Sequence, residues 1–121
     1  MVAQIETLHL LQNIRAIAQT DGIDMLMLGP DDFRINLGLA INSPLLETPV
    51  LLEAQKTVVK TAREAGKLAA CITPTPEMAQ LALELGCSLF IGGADLLFLR
   101  DGSEHLAKML RQTLGLDNSN S

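Results

Sequence analysis

The chain has 121 residues and a formal net charge of −5, which predicts a single domain with no basic stripe for nucleic acid or for an anionic membrane surface. Hydrophobic residues make up 48% of the sequence, and three Phe are its only aromatic residues, so the core has to be aliphatic. No apolar run is long enough to cross a bilayer. The first residues lack a basic segment followed by an apolar one, so no signal peptide is predicted and the expected location is cytoplasmic.

Short apolar runs of strand length alternate along the chain with patterns of helical spacing. Strands are predicted at residues 2–6, 23–28, 68–72 and 89–91. The first predicted helix begins at the Thr7 cap and ends at Asp21-Gly22, and the second begins at Thr48-Pro49 and continues through Val50 to Ala65. A third helix is predicted at residues 77–85. After it come a short helix at 96–99, a break at Asp101-Gly102, and a last helix that begins at a Ser103 cap. Gly66 and Gly86 are predicted helix stops.

This strand–helix order, repeated four times, predicts an α/β fold with a parallel sheet and right-handed crossovers. Functional sites of such sheets lie at the carboxyl ends of the strands, where Glu6, Asp32, Thr73 and Asp95 fall. Residues 29–47 are predicted to form a long irregular connection. Because it carries charged side chains among apolar ones, including Arg34, we expect it to be functional.

Two carboxylates stand out at strand ends. The apolar run Met25-Leu26-Met27-Leu28 stops at Gly29-Pro30 and is followed by Asp31-Asp32, and Glu6 closes the first strand. Glu6 and Asp32 are predicted to share a divalent metal, since carboxylates without nearby His or Cys suit Mg²⁺, Mn²⁺ or Co²⁺. The alternative is that these acids cap helices or form ion pairs.

The other chemically reactive residues are interpreted as structural. His9 and His105 fall on helices and are predicted to be solvated. Cys71 and Cys87 each lie in an apolar, strand-like run and are interpreted as buried hydrophobic residues in a reducing compartment, with a metal or redox pair as the alternative.

Several short motifs occur together over residues 2–113. They are Gln4-Ile5-Glu6-Thr7, Gly22-Ile23-Asp24, Gly29-Pro30-Asp31-Asp32-Phe33, Leu37-Gly38, Ala65-Gly66-Lys67, residues 83–87 and residues 92–97. This set resembles the HpcH/HpaI aldolase family of metal-dependent (class II) pyruvate aldolases, which are related to citrate lyase β-subunits. The two acidic positions also have the spacing that is typical of the family.

The resemblance implies roles for individual residues. Glu6 and Asp32 are implied metal ligands, and Gln4 takes the position of the family's site glutamine. The Gly29-Pro30 turn presents the backbone amides of Asp31 and Asp32 to the carboxylate of a 2-oxo acid such as pyruvate, and Ile72 forms an apolar wall over it. The implied reaction is reversible aldol cleavage, in which the metal stabilises an enolate. The sequence departs from the family pattern at Asp31, often a small residue, and at Phe33, usually Leu.

Length is the larger departure from the family. Its members are complete (β/α)₈ barrels of about 250 residues, and this chain matches only strands five to eight. The resemblance therefore implies four βα units that form half of a TIM barrel over residues 1–116, followed by a disordered tail at 117–121. The family's His base, its Asp partner and the Arg that polarises the keto group belong to the other half, so no catalytic residue is assigned to this chain.

A half barrel leaves open edge strands and inward-facing side chains without a partner layer. The chain is then a fragment, the partner of a complementary half-barrel chain, or a self-associating homo-oligomer. Three functional hypotheses remain: a metal-dependent aldol lyase acting on 2-oxo acids, a non-catalytic half-barrel module for binding or assembly, and a small α/β domain whose acids only cap helices.

Overall fold

The computed structural model describes residues 1–116, and the tail predicted at 117–121 lies outside the described residues. Over this range the strands are β1 (Val2–Ile5), β2 (Met25–Leu28), β3 (Leu68–Ile72) and β4 (Leu89–Ile91). The helices are α1 (Leu8–Gln12), α2 (Ile14–Ala18), α3 (Pro30–Asn36), α4 (Pro49–Glu64), α5 (Pro76–Leu85) and α6 (Asp95–Thr113). None of these helices is both long and apolar enough to span a lipid bilayer.

The strands form one parallel sheet in chain order, β1-β2-β3-β4. Ile5 pairs with Leu28 across β1 and β2, and Ile72 pairs with Ile91 across β3 and β4. Every strand is followed by at least one helix, so the predicted α/β alternation is confirmed. All four strands therefore end at the same edge of the sheet.

Helix α4 forms much of the layer that covers one face of this sheet. It begins with Pro49, whose missing N–H costs nothing at the first helical position. Its predicted core stripe is confirmed, since Leu51, Ala54, Val58 and Ala62 are all buried. It ends at Glu64 with Ala65 as its C-cap, and the left-handed conformation of Gly66, with φ of 69°, turns the chain towards β3.

The two faces of the sheet differ because side chains alternate along a strand. Ile5, Leu26, Leu28, Ala69 and Cys71 are buried in the core beneath the helices. The opposite face carries three apolar residues with large exposed fractions, Val2 (49%), Leu68 (49%) and Leu89 (43%). The sheet is therefore covered by helices on one face, whereas the opposite, open face exposes these apolar side chains beside Met27 and Ala70, which are themselves buried.

Two helix predictions are wrong. Part of the connection predicted to be irregular forms α3, because Pro30 occupies its first turn and Phe33 anchors it in the core. The break predicted at Asp101-Gly102 does not occur, and α6 continues through both residues. The Ser103 hydroxyl donates to the Leu99 carbonyl at 2.8 Å instead of capping a new helix. Helix α6 can continue through Gly102 because a glycine within a helix costs only about 1 kcal/mol of stability relative to alanine.

Three local predictions also need correction. The first helix divides at Asn13 into α1 and α2, and the Asn13 side chain donates to the His9 carbonyl at 2.8 Å. Thr48 stands at the N-terminus of α4 as predicted, but its hydroxyl donates to the Pro44 carbonyl and makes no capping bond. Cys87 lies before β4 and not within a strand.

Candidate functional site

The first part of the candidate site lies where β1 and β2 end. The Gly29 N–H donates to the Ile5 carbonyl at 2.9 Å, which extends the pairing of the two strands by one residue. Glu6 follows Ile5 directly and is half-buried. A Cβ placed on Gly29 would lie 2.7 Å from both Glu6 Cγ and Gln4 Nε2, and 3.1 Å from Glu6 Oε1. The predicted residues Gln4, Glu6 and Gly29 therefore lie next to one another, and the side chains of Gln4 and Glu6 pack against Gly29 because it has no side chain of its own.

The second carboxylate group stands on α3, the helix that the sequence did not predict. Asp31 and Asp32 are exposed residues of its first turn, three positions or fewer beyond Gly29. Asp31 accepts a hydrogen bond from Arg34 Nη1 at 2.5 Å. Within residues 1–116, neither Glu6 nor Asp32 takes part in an ion pair or accepts a side-chain hydrogen bond.

The alternative interpretation, that these acids cap helices, finds no support in the hydrogen bonds at the helix ends. The cap of α1 is Thr7, whose hydroxyl accepts from the Leu10 N–H at 3.1 Å. The cap of α3 is Gly29, which has no side chain to offer. The carboxylates of Glu6 and Asp32 therefore carry no structural contact of this kind in the described part of the chain.

The number of ligands that this chain can offer a metal is small. In the region that the structure describes, no three His, Cys, Asp or Glu side chains gather closely enough to hold an ion. A metal between Glu6 and Asp32 would thus have two protein ligands, and water or substrate would supply the others.

The remaining predicted site residues line a neighbouring cavity of about 300 Å³. Pro30 and Asp31 contribute from α3, and Ile72 contributes from the end of β3. The predicted site is therefore divided into two adjacent groups: Gln4, Glu6 and Gly29 at the ends of β1 and β2, and Pro30, Asp31 and Ile72 around the cavity. Asp32 follows Asp31 on α3 and is not among the residues that line the cavity.

The cavity also contains a cation that the sequence interpretation did not assign to the site. Arg34 lines the cavity and is only 8% exposed. Its Nε donates to the Ser43 carbonyl at 2.8 Å and its Nη1 to Asp31. An arginine within a largely apolar connection is the sequence signal that could have identified it, because a buried charge needs a partner.

The other residues predicted at strand ends have plain structural roles. The backbone N–H of Thr73 donates to the Ile91 carbonyl at 2.8 Å, which extends the β3–β4 pairing. Asp95 begins α6 and accepts from the Leu96 N–H at 2.7 Å. His9 and His105 are exposed on helices, as predicted.

The two cysteines are buried and not joined by a disulfide, which agrees with their interpretation as core residues. A hydrogen bond between the two thiols and burial together raise the pKa of Cys71. The same hydrogen bond lowers the pKa of Cys87, because it stabilises the thiolate there.

Comparison with known proteins places this arrangement in a family. The sequence model of the HpcH/HpaI aldolase/citrate lyase family matches residues 1–100, a range that includes β1 to β4 and both parts of the candidate site. The chain belongs to this family. The predicted family membership is therefore confirmed.

Curated relatives of this HpcH/HpaI family chain are aldolases. The chain is 31% identical over 113 residues to the hydroxypyruvate/pyruvate aldolase of Cupriavidus necator, covering 93% of this chain and 40% of that protein. It is 32% identical over 107 residues to the 4-hydroxy-2-oxo-heptane-1,7-dioate aldolase of Salmonella arizonae, covering 88% of this chain and 40% of that protein. The chain thus spans about 40% of the length of these relatives.

The fold agrees with a solved member of the family. The crystal structure of the HpcH/HpaI aldolase from Desulfitobacterium hafniense superposes with a TM-score of 0.80 at 23% identity, covering 91% of this chain and 42% of that one. The four βα units thus form about half of a TIM-like barrel, as predicted. The half barrel also explains the open face of the sheet, which would face the interior of a complete barrel.

Proposed function

We propose that this chain carries the metal-binding and substrate-binding part of an aldolase that reversibly cleaves a carbon–carbon bond in 2-oxo acids. The observation that carries the proposal is the position of Glu6. Its carboxylate packs against Gly29 at the end of the sheet and has no ion pair within residues 1–116. A partly buried carboxylate without a protein partner is suited to a cation.

The residues present fit a divalent metal. Glu6 and Asp32 supply oxygen donors, which hard cations such as Mg²⁺, Mn²⁺ or Co²⁺ accept. The absent side chain of Gly29 leaves the space that Glu6 and Gln4 occupy. When bound, such a cation supplies a Lewis acid to the carboxylate and keto oxygens of a 2-oxo acid.

The chain's own residues would orient the substrate. Gln4 lies beside Glu6 and can donate a hydrogen bond from its amide. The backbone N–H groups of Asp31 and Asp32, in the first turn of α3, have no partner within their own helix and can bind the substrate carboxylate. Ile72 covers the other side with an apolar surface. No residue of this chain is assigned the role of the base.

The experiment that tests the metal assignment compares three conservative variants. Glu6→Gln and Asp32→Asn are each expected to abolish Mn²⁺ binding measured by isothermal titration calorimetry. Asp21→Asn, an exposed carboxylate in the turn before β2, is the matched control and should bind like the parent chain. Unchanged Mn²⁺ affinity in both site variants would reject the assignment.

The chemistry is tested by proton exchange at the methyl group of pyruvate in D₂O, followed by NMR. We expect exchange only when metal is present, and only when a polypeptide carrying strands one to four of the barrel is added. The requirement for that addition follows from the missing base. Absence of exchange in the complete mixture would favour a second candidate, a half-barrel module that binds or assembles without turnover.

One observation favours that second candidate. The open face of the sheet exposes Val2, Leu68 and Leu89, and burying such apolar side chains against another layer is favourable. The proposed partner is a complementary half-barrel chain or a second copy of this chain. Light scattering of the purified chain at increasing concentration distinguishes these partners, because only self-association raises the mass of the chain alone.

A further inference from the structure

The cavity of about 300 Å³ has an unusual combination of walls. Prolines and aliphatic side chains from α3, from the connection after it, from the end of β3 and from the start of α5 form most of its lining. Leu45 and Met78 are among them and are 7% and 6% exposed. The polar side chains in this lining are Asp31, Arg34 and Thr75. Thr75 is already used, because its hydroxyl accepts from the Met78 N–H to cap α5.

Arg34 is the more buried of the two charged residues that line this cavity. Its side chain is 10% exposed, whereas that of its partner Asp31 is 74% exposed. A guanidinium has five N–H donors, and Arg34 makes two hydrogen bonds to the described part of the chain, one to Ser43 and one to Asp31. Three donors of a nearly buried cation are thus left for another acceptor.

We propose that this cavity is a carboxylate subsite that binds a short aliphatic acid, with Arg34 as the cation that receives the carboxylate. The planar guanidinium matches a carboxylate in a two-point hydrogen bond. The aliphatic walls match a hydrocarbon chain, and the volume is at the lower end of the ~300–1,000 Å³ found for small-molecule sites. Asp31 competes for the same guanidinium from the solvent side, so the acid displaces or shares this contact.

The cavity is next to the predicted substrate site, which indicates how the subsite could take part in substrate binding. Pro30, Asp31 and Ile72 line it, and these residues belong to the predicted substrate site. If the proposed aldolase function holds, the acid at Arg34 is the end of the substrate that is remote from the reacting carbons. The subsite itself does not depend on that function, since a free aliphatic acid has the same chemistry.

The subsite is tested with two probes of the same shape, hexanoate and hexanamide, titrated without metal. Binding is followed by the ¹³C-methyl signals of Leu45, Ile72 and Met78. Hexanoate is expected to shift these signals and to bind at least ~10-fold more tightly than hexanamide, as expected for a hydrogen bond to a charged group. Equal binding of the two probes, or no shift with hexanoate, would overturn the proposal.

Two variants identify the cation. Arg34→Met keeps the length of the side chain and is expected to remove the preference for hexanoate. Asp31→Asn removes the competing carboxylate, keeps Arg34 and is expected to bind hexanoate several-fold more tightly than the parent chain. Asp31→Asn therefore still tests the subsite if Arg34→Met does not fold. Unchanged or weaker hexanoate binding in Asp31→Asn would count against the subsite.

A third probe, 2-oxoadipate with Mn²⁺, distinguishes the two sources of the acid. If one molecule spans both parts of the site, Glu6→Gln and Arg34→Met will each weaken its binding. If the subsite takes a free acid, Glu6→Gln will leave the methyl shifts at the cavity unchanged. Because hexanoate is titrated without metal, a failure of the metal assignment does not affect the test of the subsite.

Discussion

Glu6 Cγ lies too close to Gly29 for that residue to carry a side chain, since a Cβ built on the glycine would be 2.7 Å from it, a distance that real Cβ atoms essentially never show. The conformation of Gly29 is not what requires a glycine, because its φ is −92°, a value that other residues adopt readily. The requirement is for space. The position of Glu6 thus depends on the absence of a side chain at Gly29, the residue between β2 and α3.

This relationship predicts the effect of Gly29→Ala. The new methyl group has to displace Glu6 and Gln4, so we expect Mn²⁺ affinity, measured by calorimetry, to fall by about tenfold or more, as when the support of a ligand is removed. Gly92→Ala, at the end of β4, is the control because a Cβ at that position would meet no atom within 4 Å. Parent-like Mn²⁺ affinity in Gly29→Ala would show that Glu6 is not held by this contact.

The glycines that follow α4 and α5 predict different losses of stability when each is replaced by alanine. Gly86 has φ of 85°, and a Cβ there would lie 2.8 Å from Arg63 Nη1, which donates to the Leu85 carbonyl. Gly66 has φ of 69° with open space around it. Gly66→Ala should cost about 1 kcal/mol of unfolding free energy from its conformation alone, and Gly86→Ala should cost more because Arg63 must also move. Urea denaturation measures both, and equal losses would mean that Arg63 moves freely.

The distribution of burial predicts which leucines stabilise the chain. Leu51 on α4 is 0% exposed, whereas Leu106 on α6 is 51% exposed. We expect Leu51→Ala to lower the unfolding free energy by about 2–5 kcal/mol and Leu106→Ala to change it by less than about 0.5 kcal/mol. Both values come from urea unfolding of the whole chain. A large loss for Leu106→Ala would indicate that α6 is packed against something in solution.

The thiol pair predicts an order of chemical labelling. The hydrogen bond between the two thiols lowers the pKa of Cys87 and raises that of Cys71. At a given pH, a larger fraction of Cys87 than of Cys71 is therefore present as thiolate. The thiolate is the reactive form, so iodoacetamide should modify Cys87 before Cys71 in the native protein, as read by fragmentation mass spectrometry. Urea should abolish the difference. Prior labelling of Cys71 would contradict the direction of this hydrogen bond.

The strands could be predicted from sequence because their signals are local. The run Leu68–Ile72 and the run Leu89–Ile91 are apolar, short and bounded by turn residues, and the structure reproduces both sets of bounds. The stop at Gly86 was predictable for the same reason, since a left-handed glycine commonly ends a helix. These features depend on a few neighbouring residues and not on the rest of the fold.

Helix α3 and the course of α6 could not be predicted in this way. The Pro30-Asp31-Asp32 sequence is typical of a helix start, with proline first and acids in the first turn, but the Gly29-Pro30 dipeptide is also typical of a turn, so the local signal does not decide between the two. In α6, the Asp101-Gly102 dipeptide is typical of a turn, yet the helix continues through it. The acids at Glu6 and Asp32 were located by their place after strands, whereas the contact of Glu6 with Gly29 is a tertiary feature that depends on strand pairing.

The chain order of the sheet has a consequence for how the protein is made. Glu6, Gly29 and Asp32 all lie within the first 36 residues, and β1 and β2 pair directly with each other. The ribosome therefore synthesises Glu6, Asp32 and the glycine that Glu6 packs against before it adds any residue of α4. We expect β1 and β2 to pair before β2 and β3 do, since the entropy cost of closing a loop rises with its length and the β1–β2 connection is the shorter one. Stable burial of their apolar side chains then waits for α4, which closes the core over them.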